Sequence, residues 1–266
     1  MNEKTYSNDY TVEAVEKALK ILSQFTETEP SHTFTQLQQR SMLTKGTLVR
    51  YLYTLQKNNY ISFDDSTNTY RLGNAVLGLG IAFRNATNIV KVAEKYMQRL
   101  SNEYGLICYL GKKNKDRIIV LEKTFPSQLP GWAAFMATEG SDLPLYSTGI
   151  GRLLLSEMPD DEVRRYLDSI DLVAFTEMTI VDKDELMKII RQARREGISY
   201  NKGENERFIQ SICAPIYDRS GRIIAGVSAC GFSELLDQIG RGLIEKQIRE
   251  IGYQISKEFG YTPEAS

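Results

Sequence analysis

The periodicity of this chain changes at Asn58. Over "KGTLVRYLYTLQKNN" apolar residues recur every three or four positions, so Leu48, Tyr51, Leu52 and Leu55 form one stripe of a helix. Immediately afterwards "YISF" and "TYRL" alternate apolar and polar residues on either side of "DDSTN". That pattern predicts a two-stranded hairpin with its turn at Asp, Ser, Thr and Asn. A helix running directly into a short polar hairpin restricts the local fold to very few motifs.

The preceding residues narrow it further. In "TVEAVEKALKILSQF", Val12, Val15, Leu19 and Leu22 share a stripe that Ala18, Ile21 and Phe25 widen, which predicts a first helix. Pro30 ends it. "TQLQQRS" predicts a second, short helix capped by Thr35, a tight turn follows at Ser41–Leu43, and Thr44 caps the third. Helix, helix, turn, helix and hairpin in this order describe a winged helix-turn-helix. At about 100° per residue, Gly46, Thr47, Arg50, Tyr53, Thr54 and Lys57 lie opposite the apolar stripe of the third helix, and Lys45 stands at its start. That helix carries Lys45, Arg50 and Lys57 and no acid, which suits a DNA major groove. A protein-interaction module with a solvated basic face is the competing explanation.

Net charge matters here only locally. The chain totals −1, which argues against a protein that coats nucleic acid indiscriminately but leaves room for one basic face. With 42% apolar and 25% charged residues over 266 positions, two modest domains are expected. The longest apolar or glycine run, "AVLGLGIAF", is too short to span a bilayer, and "MNEKTYSNDY" is no secretory leader. A cytoplasmic protein is expected. Three cysteines, Cys108, Cys213 and Cys230, form no C-x-x-C pair, and the single histidine, His32, cannot furnish a two-histidine metal site. No phosphate-binding loop of the G-x-x-x-x-G-K type is present. No metal or other cofactor is therefore expected.

From Asn74 to about Tyr104 one long helical segment is predicted, apolar on several sides at its start, as a linker and dimer contact would be. Beyond it, strands alternate with helices: a hairpin over "LICYLGKKNKDRIIVLEK", a helix starting at Ser147, and a helix from Asp182, which forms a capping box with Glu185, to the stop at Gly197. Two β-rich runs flank Asp218–Gly221, and one long terminal helix follows. This is an α+β sheet domain of a kind that encloses small ligands. The expected division is 10–73 for DNA binding, 74–104 for the linker and 105–266 for the ligand domain.

The segments "VEKALKILSQF", "TKGTLVRYLYTLQKNNYI", "YRLG", "LPLYSTGIGRLLLS", "MTIVDKDELMKIIRQARREGIS", "CAPIYDRSGRIIAGVS" and "ISKEFG", in this order, resemble the IclR family of bacterial transcription regulators. The resemblance covers nearly the whole chain after residue 10. It implies a winged helix-turn-helix joined by a helix to a GAF-like effector-binding domain. It further implies dimers or pairs of dimers on an operator and a small metabolite that alters the response. Lys45, Thr47 and Arg50 occupy the family's recognition positions, and Arg71 lies at the wing's end. Its effector positions fall on Trp132, Phe135, Leu143, Gly149, Ile150, Asn201, Ile209, Ser211, Ser228 and Cys230. Several residues depart from the family's habit: Met42 and Phe208 stand for glycine, Tyr146 for histidine, Asn201 for an acid and Ser211 for cysteine. With the positions that the resemblance gives, the helix start at "YSTGIGRLLLS" with Ser211, Ser228 and Asn201 suits a small carboxylate; from the residues alone, tight helix packing for the glycines and ordinary strand positions for the serines are the preferred explanation. Trp132 and Phe135 would add an aromatic roof, so an organic acid with an aromatic or alkyl portion is expected. An enzyme using Cys213 or Cys230 remains the alternative, although no histidine accompanies either.

Overall fold

The third helix ends where the period changes. α3 (Lys45–Lys57) is capped by Thr44, whose side chain accepts from the Thr47 N–H, and buries Leu48, Leu52 and Leu55. These meet Ile21 and Phe25 of the first helical region and Leu37 of the second in one apolar cluster. Each fully buried Leu or Ile contributes about 1.5–3 kcal/mol. α1 (Glu13–Leu22) and α2 (Phe34–Ser41) complete the three-helix unit. The hairpin pairs β2 (Ile61–Asp64) with β3 (Thr69–Leu72), Phe63 opposite Tyr70. The computed structural model describes residues 10–26, 28–86, 88–127 and 137–262.

Four local expectations change. The cap of α2 is Thr33, in a reciprocal box with Gln36, because Phe34 already belongs to the helix. A third strand, β1 (Ser31–His32), pairs with β3, so His32 is buried with Nε2 2.8 Å from the Gln24 carbonyl oxygen. The apolar stripe of α1 is divided: Ile21 faces the core, while Val12, Val15 and Leu19 are exposed. Finally, the segment 74–104 is shared between two compact units, 1–86 and 87–266. α4 (Asn74–Ala86) belongs to the first and α5 (Asn88–Tyr104) to the second.

The second unit is built on an antiparallel sheet of six strands in the order β6-β5-β4-β9-β8-β7. They are β4 (Ile107–Asn114), β5 (Arg117–Thr124), β6 (Asp142–Pro144), β7 (Ser199–Lys202), β8 (Ile209–Tyr217) and β9 (Ile223–Phe232). Alternate residues go to two cores. Cys108, Leu110, Ile212 and Ala214 join α5 and α10 (Arg241–Glu258) on one face. Ile107, Tyr109, Cys213 and Cys230 join α6 (Gly149–Ser156), α7 (Asp160–Ser169) and α8 (Lys183–Glu196) on the other. α8 stops at Gly197, φ +59°, as the sequence predicts, and Asp182 caps its start by accepting from the Glu185 N–H, without the reciprocal bond that the expected capping box would have. The terminal helix is two: α9 (Ser233–Ile239) ends at Gly240, whose φ of +98° is outside the helical region. No helix among the described residues is long and apolar enough to cross a membrane.

α10 lies against β8 because Gly252 lets the backbones approach. A Cβ there would stand 2.7 Å from the Pro215 carbonyl oxygen. Gly252→Ala is expected to cost about 1–3 kcal/mol as overpacking and to lower the melting temperature by several degrees, measured by thermal unfolding.

Candidate functional site

The residues expected to meet DNA do collect on one side of the first unit. Lys45, Gly46, Arg50, Tyr53 and Thr54 are exposed and Thr47 is half-buried. Among the described residues, the ion pairs of this unit use Glu13, Glu16, Glu29 and Asp64, and none involves Lys45, Arg50 or Lys57. The basic face therefore keeps its charge available. Two hydroxyls there already have local partners: Thr47 Oγ1 lies 2.8 Å from Thr44 Oγ1, and Thr54 donates to the Arg50 carbonyl oxygen at 2.8 Å. Arg71 differs from the others. Its guanidinium donates to the Asp64 carboxylate across the wing, so its charge is largely balanced within the hairpin.

The second unit holds a cavity of about 90 Å³ between the sheet and the start of α6. Leu143, Gly149, Ile150, Asn201, Ile209, Ser211, Ser228 and Cys230, all expected at a ligand site, line it together. Trp132 and Phe135 lie outside the described residues. Sheet pairing explains the convergence: Asn201 is opposite Ser211, Ser211 opposite Cys230, and Cys213 opposite Ser228, which is opposite Tyr109. Period-two alternation sends all of these to one face. Tyr109, Thr148, Asn205, Glu206, Gln210 and Cys213 also line the cavity, beyond the positions expected from sequence. Cys213 was open to inference, being two residues from Ser211 on the same strand.

α6 enters this cavity end-on. It starts at Gly149 and not at Ser147, with Thr148 as its cap: the Thr148 hydroxyl accepts from the Gly151 N–H at 3.2 Å and donates to the Pro144 carbonyl oxygen at 2.9 Å. The N–H groups of Gly149 and Ile150 have no intrahelical acceptor, as in any first turn, and they border the cavity. Gly149 has no room for a side chain, since a Cβ would collide with Cys213 Sγ.

Asn201 does something other than offer its amide to a ligand. Its Nδ2 donates to the Ser147 carbonyl oxygen at 2.6 Å, while Oδ1 accepts from the Gly203 and Glu204 N–H groups. It clamps the 203–208 loop to the turn before α6. Beside it, the buried Arg152 and Glu204 form an ion pair at 2.8 Å, and Arg152 also donates to the carbonyl oxygens of Tyr146 and Tyr200.

The cavity lining holds no lysine, arginine or histidine among the described residues, and its one charged residue is Glu206. Desolvation holds the Glu206 carboxyl above its ordinary pKa. Burial also pushes the thiols up, Cys230 to about 11 and Cys213 further.

A family model described as Bacterial transcriptional regulator IclR C-terminal matches residues 82–257. Another, described as IclR helix-turn-helix domain, matches residues 14–65. HTH-type transcriptional regulator XynR of Escherichia coli (strain K12) is 27% identical over 252 residues, 94% of this chain and 98% of that protein. The Pca regulon regulatory protein of Pseudomonas putida is 28% identical over 242 residues, 91% of this chain and 81% of that protein. An IclR transcriptional regulator from Alicyclobacillus acidocaldarius has the same fold, with a TM-score of 0.81 at 22% identity over 93% of this chain and 99% of that one.

The Arg152–Glu204 pair yields a test of how the cavity is held. Removing one partner leaves the other charge buried alone, so Glu204→Ala is expected to cost about 3–5 kcal/mol in denaturant unfolding. A loss below about 1 kcal/mol would show that the pair does not support this wall.

Proposed function

Because the chain belongs to the IclR family of bacterial transcriptional regulators, we propose that α3 reads an operator and that the cavity beside α6 holds an organic acid that modulates the response. The chain is a DNA-binding regulator, as its relatives are. The single observation that carries the finer reading is the acid-free face of α3, whose Lys45, Arg50 and Lys57 have no carboxylate paired with them among the described residues. Lys45 anchors a phosphate, Arg50 donates to a guanine edge, and Thr47, Tyr53 and Thr54 meet the groove margin. Arg71 touches backbone phosphate only by exchanging its Asp64 partner.

In the cavity, the acid's carboxylate sits at the start of α6, where first-turn N–H groups and the helix dipole favour negative charge. The Ser211 and Ser228 hydroxyls add donors, and Tyr109, Ile118, Val120 and Leu143 surround the apolar part. With no cation in the described lining, the anion is held by hydrogen bonds alone, which favours one carboxylate over two. The acting form is a homodimer or a pair of dimers. Exposed Val15 and Leu19 of α1, with Leu77, Leu79 and Ile81 of α4, supply the apolar surface for it. Two-fold assembly would match an inverted-repeat operator.

Two substitutions on α3 test the DNA face. Arg50→Ala is expected to abolish specific operator binding at unchanged melting temperature. A Cβ added at Gly46 would meet nothing within 4 Å. Gly46→Ala should therefore stabilise the unit by about 0.5–1 kcal/mol while weakening operator affinity, because the backbone can no longer approach the groove. Operator affinity should fall with salt at a log–log slope of about −0.9 per phosphate neutralised. Full affinity in Arg50→Ala, or no salt dependence, rejects this face.

Benzoate tests the cavity. At about 100 times its Kd it should raise the unfolding free energy by about 2.7 kcal/mol, and Ser211→Ala with Ser228→Ala should weaken it. A thermal-shift series in which only sugars or cations stabilise the protein rejects an acid ligand.

A further inference from the structure

Two apolar side chains of α3 stand apart from the core of the first unit. Val49 is 50% exposed and Tyr53 67% exposed, and neither joins the cluster that takes Leu48, Leu52 and Leu55. Being four residues apart, they are neighbours on the helix surface. Lys45 and Gly46 adjoin Val49 at helical spacing and Arg50 adjoins Tyr53, and all three of these residues are exposed. Valine is β-branched and a weaker helix former than alanine or lysine, and no core packing offsets that here. The apolar pair therefore lies within the basic face, whose Lys45 and Arg50 have no carboxylate paired with them among the described residues.

The chemistry of the major groove decides what Val49 can meet with profit. Base edges there present donors and acceptors, and the C5-methyl group of thymine is the apolar exception. Against a donor or an acceptor, valine displaces water and returns no hydrogen bond, which costs free energy. A phosphate offers it nothing either. Against a thymine methyl it buries apolar surface on both sides. Valine is short, so the helix must come close to the bases, and Gly46 one turn earlier places no side chain in the way.

We propose that Val49 is a specificity-determining residue that reads a thymine methyl in the operator, beside the base edge taken by Arg50. The inference rests on the reading that α3 enters the major groove, and it adds a base preference that cations alone do not supply. Lys45 fixes position through phosphate, while Val49 favours thymine at one place in the site.

The experiment uses the full chain and a library of randomised DNA duplexes. Duplexes enriched by repeated selection on the protein are sequenced. Each thymine of the tightest binder is then replaced singly by deoxyuridine, which removes the methyl and keeps the base pair. At least one thymine should stand out, its replacement weakening binding about fourfold, the worth of one buried methyl. Val49→Ala, at a position outside the core, should keep the melting temperature, bind the parent duplex more weakly and lose most of that discrimination. Lys45→Ala should weaken the thymine and deoxyuridine duplexes by the same factor and keep the discrimination. A library in which no sequence is enriched rejects the operator reading of α3 and this inference with it. An enriched sequence with a flat deoxyuridine scan, or a methyl effect undiminished in Val49→Ala, overturns this inference and leaves the operator reading standing.

Discussion

The second unit depends on a short helix buried along its entire length. Every residue of α6 from Gly149 to Ser156 is removed from solvent, including Arg152. An eight-residue helix has little intrinsic stability, and its end groups must find partners if water cannot reach them. Thr148 caps the start, and Ser156 donates to the Leu153 carbonyl oxygen near the end. Arg152 ties the middle to the preceding turn, to β7 and to the 203–208 loop at once. Glycines admit the helix to the sheet: a Cβ on Gly226 would lie 2.8 Å from Ile150 Cγ2, and one on Gly151 would collide with the Leu145 carbonyl oxygen. The cavity is the space left where this helix begins.

That dependence explains what is legible in the sequence and what is concealed. The helix-to-hairpin change at Asn58 is local, and period alone locates α3, β2 and β3. β1 is two residues long and exists only because Ser31 and His32 pair with Arg71 and Tyr70. Nothing in "PSHT" announces that partner. The cap of α2 falls two positions before the expected one because Thr33 and Thr35 both satisfy a capping preference, and only the reciprocal bond to Gln36 decides between them. Gly240 is inconspicuous inside a helical pattern that resumes after it, and its positive φ is what separates α9 from α10. Two departures from the family's glycines retain the backbone that glycine adopts freely: Met42 has φ +56° and Phe208 φ +68°. Both carry the strain of a left-handed residue with a side chain.

The cavity beside α6 is reached through resemblance to the IclR family, because spacing along the chain does not define it. Its walls come from β4, β5, β6, α6, β7, β8 and β9, segments far apart in sequence that strand pairing brings together. Resemblance locates positions but not roles. Asn201 stands at the cavity wall, yet both ends of its amide hold the backbone in place. Arg152 is unremarkable in "GIGRLLLS", since an arginine among leucines looks like the exposed edge of an amphipathic helix. Its buried partner Glu204 lies far along the chain, on the loop after β7.

In the first unit the question is how a chain of net charge −1 presents a basic face. The answer is the placement of its acids. Glu13 and Glu16 pair with Lys17 and Lys20 along α1, Glu29 holds Arg40 of α2, and Asp64 holds Arg71 of the wing. Exposed pairs of this kind add little stability. Their consequence is distribution: these cations elsewhere in the unit are locally neutralised, while those of α3 have no carboxylate paired with them among the described residues. A nearly neutral chain can therefore carry a local concentration of positive charge at Lys45, Arg50 and Lys57 that its average charge does not disclose.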